Sequence, residues 1–134
     1  MGMARALPWL LLLSLAACQP SFSSRGSFTV EGAAFTPTRC RVLAPEATGV
    51  ALTDAQGREL RVALPPVTLK AFEEVSGTPT VTLQTGDTKR DLGPCGAAKL
   101  VGEGYHGGGR RAAKGELKLE CAGLSGTLDF SGCF

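Results

Sequence analysis

Apolar and polar residues alternate along much of this chain, and the alternation predicts β-strands. It is clearest near the end of the sequence, where Leu117, Leu119 and Cys121 alternate with charged residues. Residues 127–131 alternate in the same way, and residues 122–126 join the two segments. A period of two places the apolar side chains on one face of a strand. The two segments therefore predict an antiparallel hairpin that packs one face against a core.

A second hairpin is predicted over residues 49–53 and 60–64. Asp54 opens and Gly57 closes the segment between them, a combination that is typical of a turn. Further strands are predicted over residues 27–31, 35–43, 80–84 and 98–105. Pro37 places the strand over residues 35–43 at the edge of a sheet or at its own beginning, because proline cannot donate to a ladder.

One segment between the strands shows a different pattern. Leu69, Phe72 and Val75 recur at a spacing of three residues, which predicts a short helix over residues 68–74, with a strand as the alternative. The chain also contains 18 glycines, and this number favours many turns over long helices. Together these patterns predict an all-β fold. We expect a small antiparallel β-sandwich or partly open barrel with glycine-rich loops, stabilised by disulfides.

The first 17 residues have the pattern of a targeting segment. Residues 1–5 carry one positive charge, and residues 6–17 are uncharged and mostly apolar. This stretch is too short to span a bilayer, which needs about 20 apolar residues. Its length fits the apolar region of a signal peptide. An ordinary secretory leader that is cut near Ala16 or Ala17 is one interpretation.

The end of this stretch, Leu15-Ala16-Ala17-Cys18, resembles the lipobox of bacterial lipoproteins. The resemblance implies that the Cys18 thiol receives a diacylglycerol and that the leader is removed just before it. It also implies that the new amino terminus is acylated by a fatty acid such as palmitate. Gln19, in place of an aspartate, implies the outer membrane of the bacterial cell envelope. The resemblance covers residues 1–18 only.

These features predict three parts in the chain: a signal peptide over residues 1–17, lipidated Cys18 with a flexible tether over 18–26, and one β domain over 27–134. The chain has 14 basic and 12 acidic residues, and removing Arg5 with the leader leaves 13 and 12, a net charge of +1. This balance argues against nucleic acid as a partner. The expected partners are the membrane, through the lipid, and an envelope protein.

The cysteine count supports the same division, because five cysteines are an odd number. Assigning Cys18 to lipid leaves Cys40, Cys95, Cys121 and Cys133 for disulfides. They have the wide spacing of disulfide cysteines and no Cys-x-x-Cys pair, so we predict no metal site.

The predicted C-terminal hairpin restricts how these four cysteines pair. In that hairpin Cys121 faces about residue 127 and Cys133 faces about residue 115, roughly 20 Å apart along the ladder. A disulfide needs Cα atoms within about 7 Å, so a bond between these two cysteines is disfavoured. Two connectivities remain open. If strand 98–105 pairs with 117–121, Cys95–Cys121 and Cys40–Cys133 are favoured; the alternative is Cys40–Cys121 with Cys95–Cys133.

The glycine-rich segment around residues 102–111 carries the remaining candidate chemistry. Residues 102–107 match the spacing G-x-G-x-x-G, but a dinucleotide site needs a helix after this motif, and no helical pattern follows. We therefore predict no cofactor. Successive glycine amides can bind an anion, which makes Gly107, Gly108, Arg110 and Arg111 a candidate anion-binding loop. Two adjacent arginines are more often simply solvated.

Groups suited to catalysis are few. His106 is the only histidine, and catalytic histidines need partners that position them. We therefore predict no catalytic residues and a non-catalytic binding or structural role at the envelope. One alternative is a secreted inhibitor or small-ligand carrier that presents a loop over residues 103–114. The other is an enzyme, such as a hydrolase, that uses His106 with a nearby carboxylate.

Overall fold

Two antiparallel β-sheets form the part of the chain that the structure describes. The computed structural model describes residues 21–43, 48–106 and 110–134, with residues 104–106 and 110–111 described by their backbone. The strands of one sheet are β1 (Ser23–Val30), β2 (Ala33–Phe35), β6 (Glu74–Gly77), β9 (Ala97–His106), β10 (Arg110–Cys121) and β11 (Leu124–Cys133). The strands of the other are β3 (Pro37–Leu43), β4 (Thr48–Asp54), β5 (Glu59–Leu64), β7 (Thr80–Thr85) and β8 (Thr88–Pro94).

The order of the strands is β2-β1-β11-β10-β9-β6 in the six-stranded sheet and β3-β4-β5-β7-β8 in the five-stranded sheet. All strand pairs in both sheets are antiparallel. No helix occurs in residues 21–43, 48–106 or 110–134. The predicted all-β sandwich is therefore confirmed, and so is the hairpin that β4 and β5 form around Asp54.

One apolar core lies between the sheets. In β5, Leu60, Val62 and Leu64 are buried while the residues between them are half-buried, which is the period of two that the sequence shows. The largest fully buried side chains come from both sheets: Phe28, Phe35, Val50, Leu52, Leu60, Val62, Val81, Leu100, Leu117, Leu119, Leu124 and Leu128. Each such side chain contributes about 1.5–3 kcal/mol through burial, so the alternating strands supply most of the driving force for folding.

Two disulfides join the sheets at opposite ends. Cys40 in β3 bonds to Cys133 at the end of β11, with the Cα atoms 5.0 Å apart. Cys95, which follows β8, bonds to Cys121 at the end of β10, with the Cα atoms 5.4 Å apart. This is the connectivity that pairing β9 with β10 favours, and β9 and β10 do pair over residues 97–118.

Two further contacts join the edge strands of the five-stranded sheet to the six-stranded sheet. At one end, the backbone N–H of Val42 in β3 donates to the carbonyl oxygen of Phe134 at 2.8 Å. At the other end, Arg90 in β8 forms an ion pair with Glu31, which follows β1. Both edge strands of the five-stranded sheet therefore contact the other sheet, beside the two disulfides.

The short helix predicted over residues 68–74 is wrong. Residues 68–73 form an irregular connection, and β6 begins at Glu74. The backbone N–H of Phe72 donates to Gly102 in β9 at 2.6 Å, and the N–H of Gly102 donates to Glu73 at 3.1 Å. The backbone groups of this segment bond to a neighbouring strand, which removes them from the bonds that a helix would need.

Two strand boundaries also differ from the prediction. β10 and β11 are joined by a two-residue turn at residues 122–123, shorter than the predicted connection over 122–126. Cys121 consequently faces Leu124, and Cys133 faces Ala113. β1 begins at Ser23, so residues 23–26, predicted as part of the tether, pair with β11 instead.

Candidate functional site

The residues of the predicted lipidation site lie outside the described part of the chain. These residues are the signal peptide over 1–17, Cys18 and Gln19. Gly107 and Gly108 of the candidate anion-binding loop also lie outside the described part. Arg110 and Arg111 are the first two residues of β10, where they pair with residues 106 and 105 of β9. The structure therefore places half of the anion-binding loop at the end of a hairpin, and the anion site stays a prediction.

Residues 102–106 of the G-x-G-x-x-G segment lie in β9, and the next strand that the structure describes is β10. Gly102 is buried within β9, and β10 begins at Arg110. A dinucleotide site places the pyrophosphate at the beginning of a helix, and this geometry does not provide one. The prediction of a presented loop over 103–114 is wrong for the residues described, because 103–106 and 110–114 belong to the paired strands β9 and β10. Ala112 and Ala113 in that hairpin are buried in the domain.

At the end of the six-stranded sheet where the described chain begins with Ser21, a β-bulge brings three segments together. β11 has an irregular register between the pairs Ala113–Cys133 and Gly115–Phe130. Gly132 lies in this bulge with a φ of 71°, and a Cβ atom there would overlap the carbonyl oxygen of Ser21. Glycine is therefore required for β11 to approach the segment that precedes β1. We call this region the tether end of the sheet.

The side chain of Glu103 in β9 forms a hydrogen bond to the bulge in β11. One of its carboxylate oxygens accepts a hydrogen bond from the backbone N–H of Gly132 at 2.9 Å. A bulge removes backbone groups from the regular ladder, and the carboxylate supplies an acceptor for one of them. The sequence pattern does not reveal this role, because it depends on which strands become neighbours.

A row of paired residues runs across the sheet at the tether end. Ala113 in β10 pairs with Gly102 in β9 and with Cys133 in β11. Ala71, in the connection before β6, forms a bridge with Gly102 from the far side. Ser21 lies on the other side of β11, against Gly132. The row from Ser21 through β11, β10 and β9 to Ala71 therefore contains four spacings between neighbouring segments, about 19 Å in total. The beginning of the domain and the connection before β6 share one end of the sheet.

The buried polar side chains of the described residues both stabilise loops. The hydroxyl of Thr48 donates to the carbonyl oxygen of Val67 at 2.5 Å and accepts from its N–H at 2.8 Å. Asp54, which is 3% exposed, pairs with Arg58 at 2.7 Å and accepts a backbone N–H from Gln56. These groups close the turns next to β4 and β5.

The outer face of the six-stranded sheet is polar and carries balanced charge. A shallow groove there is lined by Lys99 and Lys118 and by Glu116 and Asp129, among other residues. Lys99 forms an ion pair with Glu116 at 3.6 Å, and both side chains are well exposed. Such a surface is suited to contact with water and to weak polar contacts.

Among the residues that the structure describes, no three His, Cys, Asp or Glu side chains form a group that could hold a metal ion. The same residues include no helix with the length and apolar character needed to cross a membrane. The chain matches no protein-family model, no curated protein and no solved structure.

Proposed function

We propose that this chain is a lipid-anchored protein of the bacterial cell envelope, with a non-catalytic binding or structural role. In this proposal Cys18 carries the lipid, and the β-sandwich is held at the surface of a membrane. The Leu15-Ala16-Ala17-Cys18 segment and the uncharged stretch before it are the basis in the sequence.

The observation that carries the proposal is the pairing of the other cysteines. Two disulfides use all four cysteines of the β domain, Cys40 with Cys133 and Cys95 with Cys121. Of the five cysteines in the sequence, Cys18 alone is left over. An exported protein with an odd cysteine needs a fate for that thiol, and modification by lipid supplies one. Disulfides of this kind are typical of compartments outside the cytosol.

The position of β1 makes the anchor short. Because Ser21 already packs beside the β11 bulge, only three peptide units separate it from Cys18. Three extended residues span at most about 11 Å. A lipid on Cys18 would therefore hold the tether end of the sheet close to the membrane. Stable anchoring takes more than one acyl chain, and the lipoprotein modification supplies at least two.

The use of the buried polar groups supports a non-catalytic role. Thr48 and Asp54 are the buried polar residues of the described core, and both are occupied by hydrogen bonds that stabilise loops. An envelope partner would have to bind the exposed surface. Gln19 supports assignment to the outer membrane by resemblance to lipoproteins.

Labelling of cells with a traceable palmitate tests this proposal. We expect the chain to incorporate the label and to fractionate with membranes. The Cys18→Ala variant is expected to lose the label and to appear in the soluble fraction. As a matched control, a variant with both Cys40→Ala and Cys133→Ala keeps Cys18 and should keep the label. Equal labelling of the Cys18→Ala variant, or an unlabelled native chain, would contradict the proposal.

A further inference from the structure

We propose that the connection before β6 is a second membrane contact, with Phe72 inserted into the interface of the bilayer that anchors Cys18. We call residues 65–72, which join β5 to the turn before β6, the strap. This inference rests on the proposed function and adds an orientation to it: the domain would stand on the membrane on its tether end.

Phe72 is the feature of the strap that needs an explanation. Its side chain is 80% exposed, and its φ of 62° lies in the left-handed region, which bulky residues adopt rarely. Three backbone hydrogen bonds hold this conformation: from Phe72 to Gly102, from Gly102 to Glu73, and from Glu73 to Lys70 at 3.2 Å. The fold therefore holds an aromatic ring in solvent on a fixed backbone, against both its conformational preference and its hydrophobicity.

The rest of the strap adds apolar surface that is also fixed in place. Pro65 and Pro66 are exposed, and Val67 is 49% exposed. The backbone of Val67 is held in both directions by the buried hydroxyl of Thr48. A contiguous exposed apolar segment of this kind is typical of contact with a membrane or with another protein.

The position of the tether favours a membrane over another protein as the contact of the strap. Ala71 lies on the same row across the sheet as the beginning of the domain, about 19 Å to the side of Ser21. A lipid on Cys18 would keep Ser21 within about 11 Å of the anchor. The bilayer would thus lie against the same end of the sheet that presents the strap, and no partner protein would need to be recruited there.

The charges near the strap are compatible with a lipid headgroup layer. Lys70 is exposed within the strap, and no acidic residue occurs between residues 65 and 72. β10 begins at this end with two consecutive arginines, at residues 110 and 111. Glu73 and Glu74 follow the strap, where β6 turns back along the sheet. An exposed lysine within an apolar segment is compatible with contact at a lipid headgroup layer, because its stem can pack on the acyl boundary while its ammonium stays among the headgroups.

The sequence offers a direct test, because Trp9 is its only tryptophan and lies in the predicted leader. Phe72→Trp then places a single fluorescent reporter in the processed chain while conserving aromatic character. The full processed protein is reconstituted into vesicles of phosphatidylethanolamine and phosphatidylglycerol, with or without bromine on the acyl chains. Bromine quenches tryptophan only at short range, so it reports insertion.

We expect the emission of the Phe72→Trp protein to shift to shorter wavelength in vesicles and to fall by about twofold with brominated lipid, because an interfacial side chain reaches the acyl boundary. The matched control is Ala122→Trp, in the exposed turn between β10 and β11. That turn lies about 30 Å along β10 from Ala113, at the end of the sheet away from the membrane. The emission of the Ala122→Trp protein should therefore be the same with and without brominated lipid.

The mass of the reconstituted protein separates the two possible failures. If the chain carries the lipid and the Phe72→Trp emission is the same in both kinds of vesicle, the second contact is overturned while the anchor stands. If the chain carries no lipid, the proposed function fails and this inference fails with it. Equal quenching of both reporters would also overturn it, because the domain would then have no preferred end at the membrane.

Discussion

Removing the Cys40–Cys133 disulfide is expected to destabilise the domain more than removing Cys95–Cys121. The cross-links close loops with sequence separations of 93 and 26 residues. If a disulfide acts mainly by restricting the unfolded chain, these separations correspond to about 4.6 and about 3.5 kcal/mol at 25 °C. The predicted difference in the free energy of unfolding is therefore about 1 kcal/mol.

Packing acts in the same direction as chain entropy. Cys133 is fully buried, whereas Cys40, Cys95 and Cys121 are all half-buried and pack against the edge of the core. Replacing each pair by alanine avoids free thiols but leaves a cavity, and the cavity is more enclosed at Cys133. Because small domains have free energies of unfolding of about 5–15 kcal/mol, loss of both bonds should bring this one close to unfolding.

Guanidinium unfolding of the two alanine-pair variants, followed by circular dichroism under non-reducing conditions, measures the difference. The slopes should be recorded along with the midpoints, since removing a cross-link also changes the surface that unfolding exposes. A larger loss for the pair at residues 95 and 121 would refute the argument from loop length. So would a loss below about 1 kcal/mol for either pair, given the usual range of about 2–4 kcal/mol.

Three further substitutions test individual contacts by the same unfolding experiment. Asp54→Asn should cost about 3 kcal/mol, because Arg58 loses the buried carboxylate with which it pairs. Gly132→Ala should cost more than about 2 kcal/mol, because its φ is positive and a Cβ atom would overlap a backbone oxygen. Thr48→Val should cost about 1–3 kcal/mol, because two backbone groups of the strap lose their partner.

Each of these substitutions has a matched control. Glu116→Gln removes one partner of an exposed ion pair and should change stability by less than about 1 kcal/mol. Gly86→Ala adds a Cβ at a φ of 60° in open space, so it isolates the conformational cost, about 1 kcal/mol. Thr127→Val changes an exposed strand residue and should be nearly neutral. A control that costs as much as its partner would contradict the assigned contact.

The elements predicted correctly are those whose signal is local. The hairpin of β4 and β5 follows from a period of two on each side of a turn that begins with Asp54, and the structure has it in that place. The sequence favours Cys95–Cys121 on the condition that the strand over 98–105 pairs with 117–121, and the structure has both that pairing and that disulfide. Alternation and turn chemistry are properties of a few neighbouring residues, so a single sequence contains them.

The failures occur where contacts between distant residues decide the conformation. The spacing of Leu69, Phe72 and Val75 suggests a helix, but the backbone there is bound to β9. Gly102 belongs to both the predicted strand over residues 98–105 and the G-x-G-x-x-G segment, and the sequence does not show that a side chain there would overlap the backbone of Lys70. A glycine required for close approach and a glycine in a loop are indistinguishable without the neighbouring strand.

The tether end was not predictable for the same reason. Glu103 supports the β11 bulge and Phe72 projects from the strap, yet neither belongs to a recognisable motif. Their position at the same end of the sheet as Ser21 depends on the order of strands in the six-stranded sheet, which the sequence pattern does not specify. The sequence pattern predicts most of the strands but not β2, β6 or β8, and it predicts which strands are neighbours only within the two hairpins.

The mass of the intact protein, purified from membranes without reduction, tests the central claim most directly. The account predicts a chain that begins at Cys18, carries a diacylglyceryl group and at least one further acyl chain, and is four hydrogens lighter than the fully reduced form. Alkylation should add nothing, because no thiol remains free. An unmodified Cys18, or alkylation at any of the other four cysteines, would contradict it.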